Sequence, residues 1–130
     1  MLRIRAFALA ASALTVAVGL ASRTPGLPRF VHAYVGDTLY AVLIYALLRA
    51  AFPTRRVAVA AVSACFAIEA SQAWHLPALD VVRATRIGAL VLGRGFVWSD
   101  LGCYAVGVAT AALVERRLRR AAAVGAADPG

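Results

Sequence analysis

Residues 57–74 read VAVAAVSACFAIEASQAW, eighteen residues with a single charge, Glu69. A helix that crosses the roughly 30 Å hydrocarbon core of a bilayer needs about 20 such residues. The run is one of four. Residues 4–21, 31–52 and 97–114 are similarly apolar, and four crossings would take about 80 residues, leaving some 50 for loops and ends. The breaks carry loop chemistry: Thr24-Pro25-Gly26-Leu27-Pro28, then Pro53-Thr54-Arg55-Arg56, then the long stretch 75–96. The expected fold is therefore all-α, an integral membrane four-helix bundle. It forms one polytopic domain over residues 1–120, followed by a flexible small-residue tail over 121–130.

Composition agrees. The 130 residues are 62% hydrophobic and 15% charged, with a mean hydropathy of +0.78. Soluble domains are typically about 45–50% apolar and about 25% charged. A soluble globular domain, a disordered tail and a fibrous repeat are excluded on this basis. The net charge of +8 invites a nucleic-acid reading, but that needs a basic, water-facing patch. Too little water-facing surface is left, so no nucleic-acid partner is expected. Two cysteines are too few for a disulfide scaffold and lack metal-site spacing; no metal or cofactor is expected.

Every basic residue is an arginine, and nearly all sit at segment ends. Arg3, Arg5, Arg49, Arg55, Arg56, Arg116, Arg117, Arg119 and Arg120 flank one side. Arg23, Arg29, Arg83, Arg86 and Arg94 flank the other. Nine against five places both termini in the cytoplasm of a bacterial cell, with a multi-pass chain in the inner membrane and the first and third connections outside. A cleaved signal peptide is the competing reading of segment one, since Arg3 and Arg5 precede an apolar run ending in Gly19-Leu20-Ala21. The run is long for a signal core, and Arg23 follows at once. Ala13, Ala17 and Ala21 recur every four residues, the pattern of a face that packs closely on another helix.

Three carboxylates interrupt the apolar segments: Asp37, Glu69 and Asp100. Each costs about 2.5–3.5 kcal/mol at mid-membrane and less near the interface. At about 1.5 Å per residue, all three fall within roughly 10 Å of the outer end of their helices. Glu69 and Gln72 are i, i+3 on one face, with Cys65 a turn deeper; Asp37 has Tyr34 and Tyr40 at i−3 and i+3; Asp100 has Cys103, Tyr104 and Gly107 along its stripe. Trp74 and Trp98 read as interfacial belt residues. His32 and His75 read as rim residues without ligand spacing, and Cys65 and Cys103 as small buried apolar residues. The bland alternative for the carboxylates is pairing with arginine to hold the bundle together. The functional reading is an outward-opening acidic pocket made by Asp37, Tyr40, Glu69, Gln72, Asp100 and Tyr104.

The stretch VVRATRIGALVL, residues 81–92, is too short and too charged to span. It reads as one short interfacial or re-entrant helix between the third and fourth spans. On such a helix Arg83 and Arg86 share a face, and Arg83 becomes the expected countercharge for the pocket. A plain surface helix that binds lipid headgroups through its arginines is the simpler alternative.

Four motifs stand in order along the chain: Gly36-Asp37-Thr38-Leu39-Tyr40-Ala41; Glu69-Ala70-Ser71-Gln72 with Trp74; Arg83-Ala84-Thr85 with Gly88 and Leu92-Gly93-Arg94-Gly95-Phe96; and Trp98-Ser99-Asp100-Leu101 with Tyr104 and Gly107. Together they resemble the small bacterial membrane proteins grouped as domain-of-unknown-function family 2809, over about residues 30–113. That resemblance implies an architecture and no established activity. A weaker similarity runs to VanZ-like membrane proteins, linked to teicoplanin resistance and the cell envelope. Those carry Glu-x-x-Gln, a following Arg, and Asp-x-x-x-Asn-x-x-Gly. Glu69, Gln72, Arg83, Asp100 and Gly107 match, with Tyr104 in place of the Asn. That similarity implies an amphiphilic or glycopeptide-like ligand.

The leading expectation is an envelope protein that binds an amphiphile or lipid headgroup, with membrane lipids as its partners. A second is proton- or cation-coupled transport, since clustered membrane carboxylates form relays; with no inverted repeat in view, it would need a homodimer. A third is a hydrolase or transferase using Glu69 and Asp100. No nucleophile–base pair or phosphate loop accompanies them, so an enzyme is the least favoured of the three.

Overall fold

A computed structural model describes residues 2–52, 54, 56–74, 76–93 and 95–127. Among these the chain forms six helices and no strand: α1 (Leu2–Ala21), α2 (Gly36–Ala51), α3 (Val57–Ala73), α4 (Pro77–Ala84), α5 (Arg86–Leu92) and α6 (Trp98–Ala127). A π-helical turn, Val31–Val35, leads into α2 with helical backbone angles at Gly36 (φ −58°, ψ −48°). The second apolar segment is thus one helical path whose wide first turn delivers Asp37. Such π-turns are frequent near functional sites. His75, Arg55, Arg94, the side chains of Arg3 and His32 and the last three tail residues lie outside what is described, and the rim and charge roles expected of them with it.

Helix α2 is central. Helices α1 and α6 pack on it, α3 packs on both α2 and α6, and α5 rests on α4 and α3. The core is built from small and aromatic side chains: Ala41 and Tyr45 of α2, Val57, Ala61 and Cys65 of α3, Tyr104 and Val108 of α6. Gly107 makes the α2–α6 approach close. A Cβ there would strike the Thr38 carbonyl and lie 2.9 Å from the Ala41 methyl. Glycine at a helix–helix contact lets backbones approach this way.

Away from that seam, large apolar side chains face outward on every long helix, among them Phe7, Leu14, Val59, Val106 and Leu113. No single helix among the described residues is long and apolar enough to cross a membrane. Helices α3 and α4 reach that length and composition together, but are bent by 101° at their junction.

Two expectations are corrected. The single interfacial helix is two helices. Pro77 opens α4, where its missing N–H costs nothing, and Thr85 ends it in an extended conformation (φ −78°, ψ 154°). Thr85 then caps α5 by accepting from the Gly88 N–H at 3.0 Å, while its hydroxyl donates to the Val82 carbonyl at 2.7 Å. The break separates Arg83 from Arg86: Arg83 is buried and Arg86 exposed.

The packed face of α1 is also different. Ala13, Ala17 and Ala21 are exposed, and the buried stripe runs through Ala8, Ser12 and Thr15 to Ser22 just beyond the helix. The hydroxyls of Ser12, Thr15 and Ser22 donate to the carbonyls of Ala8, Ala11 and Gly19 at 2.7–2.8 Å. Polar groups satisfied within their own helix can face a neighbour as small residues do. Helix α6 continues through residues 121–127.

Candidate functional site

Glu69 organises the end of the bundle where the connecting helices lie. Its side chain is 0% exposed, and a buried carboxylate is stable only when its oxygens are hydrogen-bonded. Three donors from three parts of the chain meet it. Val97 donates its backbone N–H to Oε1 at 2.8 Å, Tyr104 its hydroxyl to Oε2 at 3.0 Å, and Gln72 its amide to Oε2 at 3.1 Å. Glu69 thereby ties α3 to the start of α6. None of the three donors carries charge.

Gln72 is held from behind by Gly93. At φ +68° this residue sits in the left-handed region that favours glycine. It ends α5, and a Cβ on it would fall 2.5 Å from the Gln72 amide nitrogen. Tyr40 fixes the same corner from α2, donating its hydroxyl to the Val91 carbonyl at 2.7 Å and tilting against the Tyr104 ring at 6.2 Å.

In front of this frame opens a small polar cleft of about 80 Å³. Asp37, Tyr40, Gln72, Gly93 and Tyr104 line it, together with Arg23 from beyond the end of α1. Asp37 lies within Coulombic range of Asp100 and Glu69, and on the attractive side of Arg23. The three carboxylates from three helices do share one neighbourhood. The cleft adjoins an apolar groove of about 130 Å³ between α1, α2 and α5, walled by Val16, Leu20, Leu39, Leu43 and Leu90. Arg23, Gly36, Tyr40, Leu90 and Val91 belong to both.

The seven residues singled out from sequence therefore separate. Asp37, Tyr40, Gln72 and Tyr104 reach the cleft. Glu69 lies behind it as the anchor. Asp100 accepts a hydrogen bond from Ser99 at 3.2 Å outside the lining. Arg83 is turned elsewhere: its guanidinium donates to Asp80 Oδ1 at 3.1 Å and Ser71 Oγ at 2.9 Å. Among the described residues the cation that lines the cleft beside Asp37 is Arg23, and Arg83 is not in the lining. The physical reason is the break at Thr85, which commits Arg83 to the short α4 and its i−3 neighbour Asp80. Cys65 is buried as expected, whereas Cys103 is only half-buried. Among the described residues no group of three or more His, Cys, Asp or Glu side chains is arranged to hold a metal ion.

A second polar cluster, at the opposite end of α2, has no counterpart in the sequence reading. Glu115 of α6 receives the Tyr45 hydroxyl at 2.6 Å on Oε2. On Oε1 it meets the guanidinium groups of Arg49 at 2.8 Å and Arg119 at 2.6 Å. Arg49 also donates to the Thr54 carbonyl at 2.8 Å. The available signal was Glu115 four residues before Arg119, the i, i+4 spacing of a helical ion pair.

Over residues 26–108 the chain matches the family described as "Protein of unknown function (DUF2809)". The match spans more than half of the chain, and the chain belongs to that family. It contains the cleft residues of α2, α3, α5 and α6, while Arg23, Glu115 and Arg119 fall outside it. No solved structure matches the chain.

Proposed function

We propose that this DUF2809 protein is an inner-membrane, four-pass binding protein that takes an amphiphile or lipid headgroup in a cell-envelope role. The observation that carries the reading is the continuity of the two cavities. A polar cleft bearing Arg23 and Asp37 runs into a groove lined by aliphatic side chains. A ligand with a charged head and an apolar chain matches both halves at once. The Arg23–Asp37 pair suits a headgroup with both amine and phosphate or carboxylate character.

The membrane setting is supported by apolar residues that face outward around α1, α3 and α6. A helix apolar on all sides belongs in a core or a bilayer. In this reading α1, the π-turn with α2, α3 and α6 are the crossings, and α4 and α5 lie at the outer interface. The arginine distribution then puts both termini in the cytoplasm.

The test is native mass spectrometry on the full chain extracted from a bacterial membrane, with wild type beside Arg23→Ala/Asp37→Asn. The expected result is a co-purified amphiphile that the double variant retains about tenfold less, roughly the 1.4 kcal/mol of one charged contact. Equal retention by wild type and a folded double variant overturns the reading.

A second reading, proton-coupled transport, is favoured by the mutual proximity of Asp37, Asp100 and Glu69. Liposomes carrying the wild-type chain with a pH-sensitive dye decide it: a flux that Asp37→Asn abolishes supports it, and no flux removes it.

A further inference from the structure

The cluster at the other end of the bundle stands beside a slot of its own. Helices α1 and α6 both pack on α2 but hardly on each other. The space between them forms two adjoining cavities of about 190 and 300 Å³ that share Phe7, Ala8, Arg49 and Glu115. The walls are apolar, with Val42 and Val114 at one end and Leu118 and Ala122 at the other. At its edge sits a charge imbalance: two guanidinium groups, Arg49 and Arg119, face the single carboxylate of Glu115. Among the described residues the buried Nε–H of Arg49 has no hydrogen-bond partner. Three further arginines, Arg116, Arg117 and Arg120, follow on the same turns of α6.

We infer that this slot is a second lipid site, one that holds an anionic phospholipid of the cytoplasmic leaflet. Its phosphate sits at Arg49 and Arg119, and one acyl chain lies between α1 and α6. The occupant is chosen by charge complementarity. The surplus cation attracts an anion. A zwitterionic lipid answers it less well, and a second copy of α6 would bring its own arginines against these. The inference rests on the membrane reading above but not on the outer cleft, since the two sites share no lining residue.

The experiment places the full chain in nanodiscs of phosphatidylglycerol and phosphatidylcholine in equal parts and reads retained lipid by native mass spectrometry. Wild type is expected to retain phosphatidylglycerol selectively. Arg119→Gln, at a half-exposed position, should reduce that preference about fivefold, the size of one arginine's attraction to an anionic surface. Ala122→Trp, which fills the slot from an exposed position on α6, should reduce retention of either lipid there. The outer-cleft variant Arg23→Ala/Asp37→Asn should leave the phosphatidylglycerol preference intact, which separates failure of this site from failure of the other. Equal retention of the two lipids by wild type overturns the inference. So does a preference unchanged in both Arg119→Gln and Ala122→Trp, or a lipid-free dimer that Ala122→Trp dissociates, which would give the slot to a second copy.

Discussion

Glu69 and Glu115 are the same side chain, each with three donors within hydrogen-bonding distance, at opposite ends of one helical bundle. Glu69 is sealed, and its donors are a hydroxyl, a carboxamide and a backbone N–H. Glu115 keeps a fifth of its surface exposed, and two of its three donors are arginines. Neutral dipoles hold the first side chain and guanidinium groups hold the second, so the two ends differ in the choice of donors and not in the choice of acid.

That contrast can be broken most directly at Glu69. Glu69→Ala strands the Val97 N–H, the Tyr104 hydroxyl and the Gln72 amide without their acceptor. Each stranded group costs about 1–3 kcal/mol, so a loss of at least about 3 kcal/mol is expected. Thermal unfolding in detergent should show a large drop, unaltered by added salt. The paired tyrosines sharpen the comparison: Tyr104→Phe should cost about 1.5–3 kcal/mol, because its hydroxyl serves a buried charged group, and Tyr45→Phe closer to 1 kcal/mol. Equal losses in denaturant titrations would erase the distinction. Glu115→Gln should cost about 1 kcal/mol at low salt and less at 1 M, where the screening length falls to about 3 Å. Smallest is Arg119→Ala, about 0.3–0.5 kcal/mol as an i, i+4 pair, measured by the same unfolding series.

Much of the Glu69 end was legible because its signals are local or follow from depth. The i, i+3 spacing of Glu69 and Gln72 becomes a hydrogen bond, and carboxylates at matched distances from helix ends become neighbours. The partner of Arg83 was not legible, since it depends on one extended residue, Thr85, inside a stretch that otherwise reads as continuous helix. The face of α1 was misread because two stripes of small residues compete, and hydroxyls that bond to their own helix count as small. The Tyr45–Glu115 contact joins residues 70 positions apart; no periodicity encodes it. Arg23 was counted for its charge near a helix end, while its place beside Asp37 needs the path of the chain beyond α1.

Gly93 gives the loop between α5 and α6 a lever on the interior. Its missing side chain is the room in which Gln72 turns toward Glu69, and Glu69 in turn holds the first residues of α6. A methyl group added at this turn would displace an amide, the amide would release a carboxylate oxygen, and the longest helix would lose part of its mooring. A disturbance at a connecting segment is thereby relayed to the start of α6 through two side chains, without any helix having to move first.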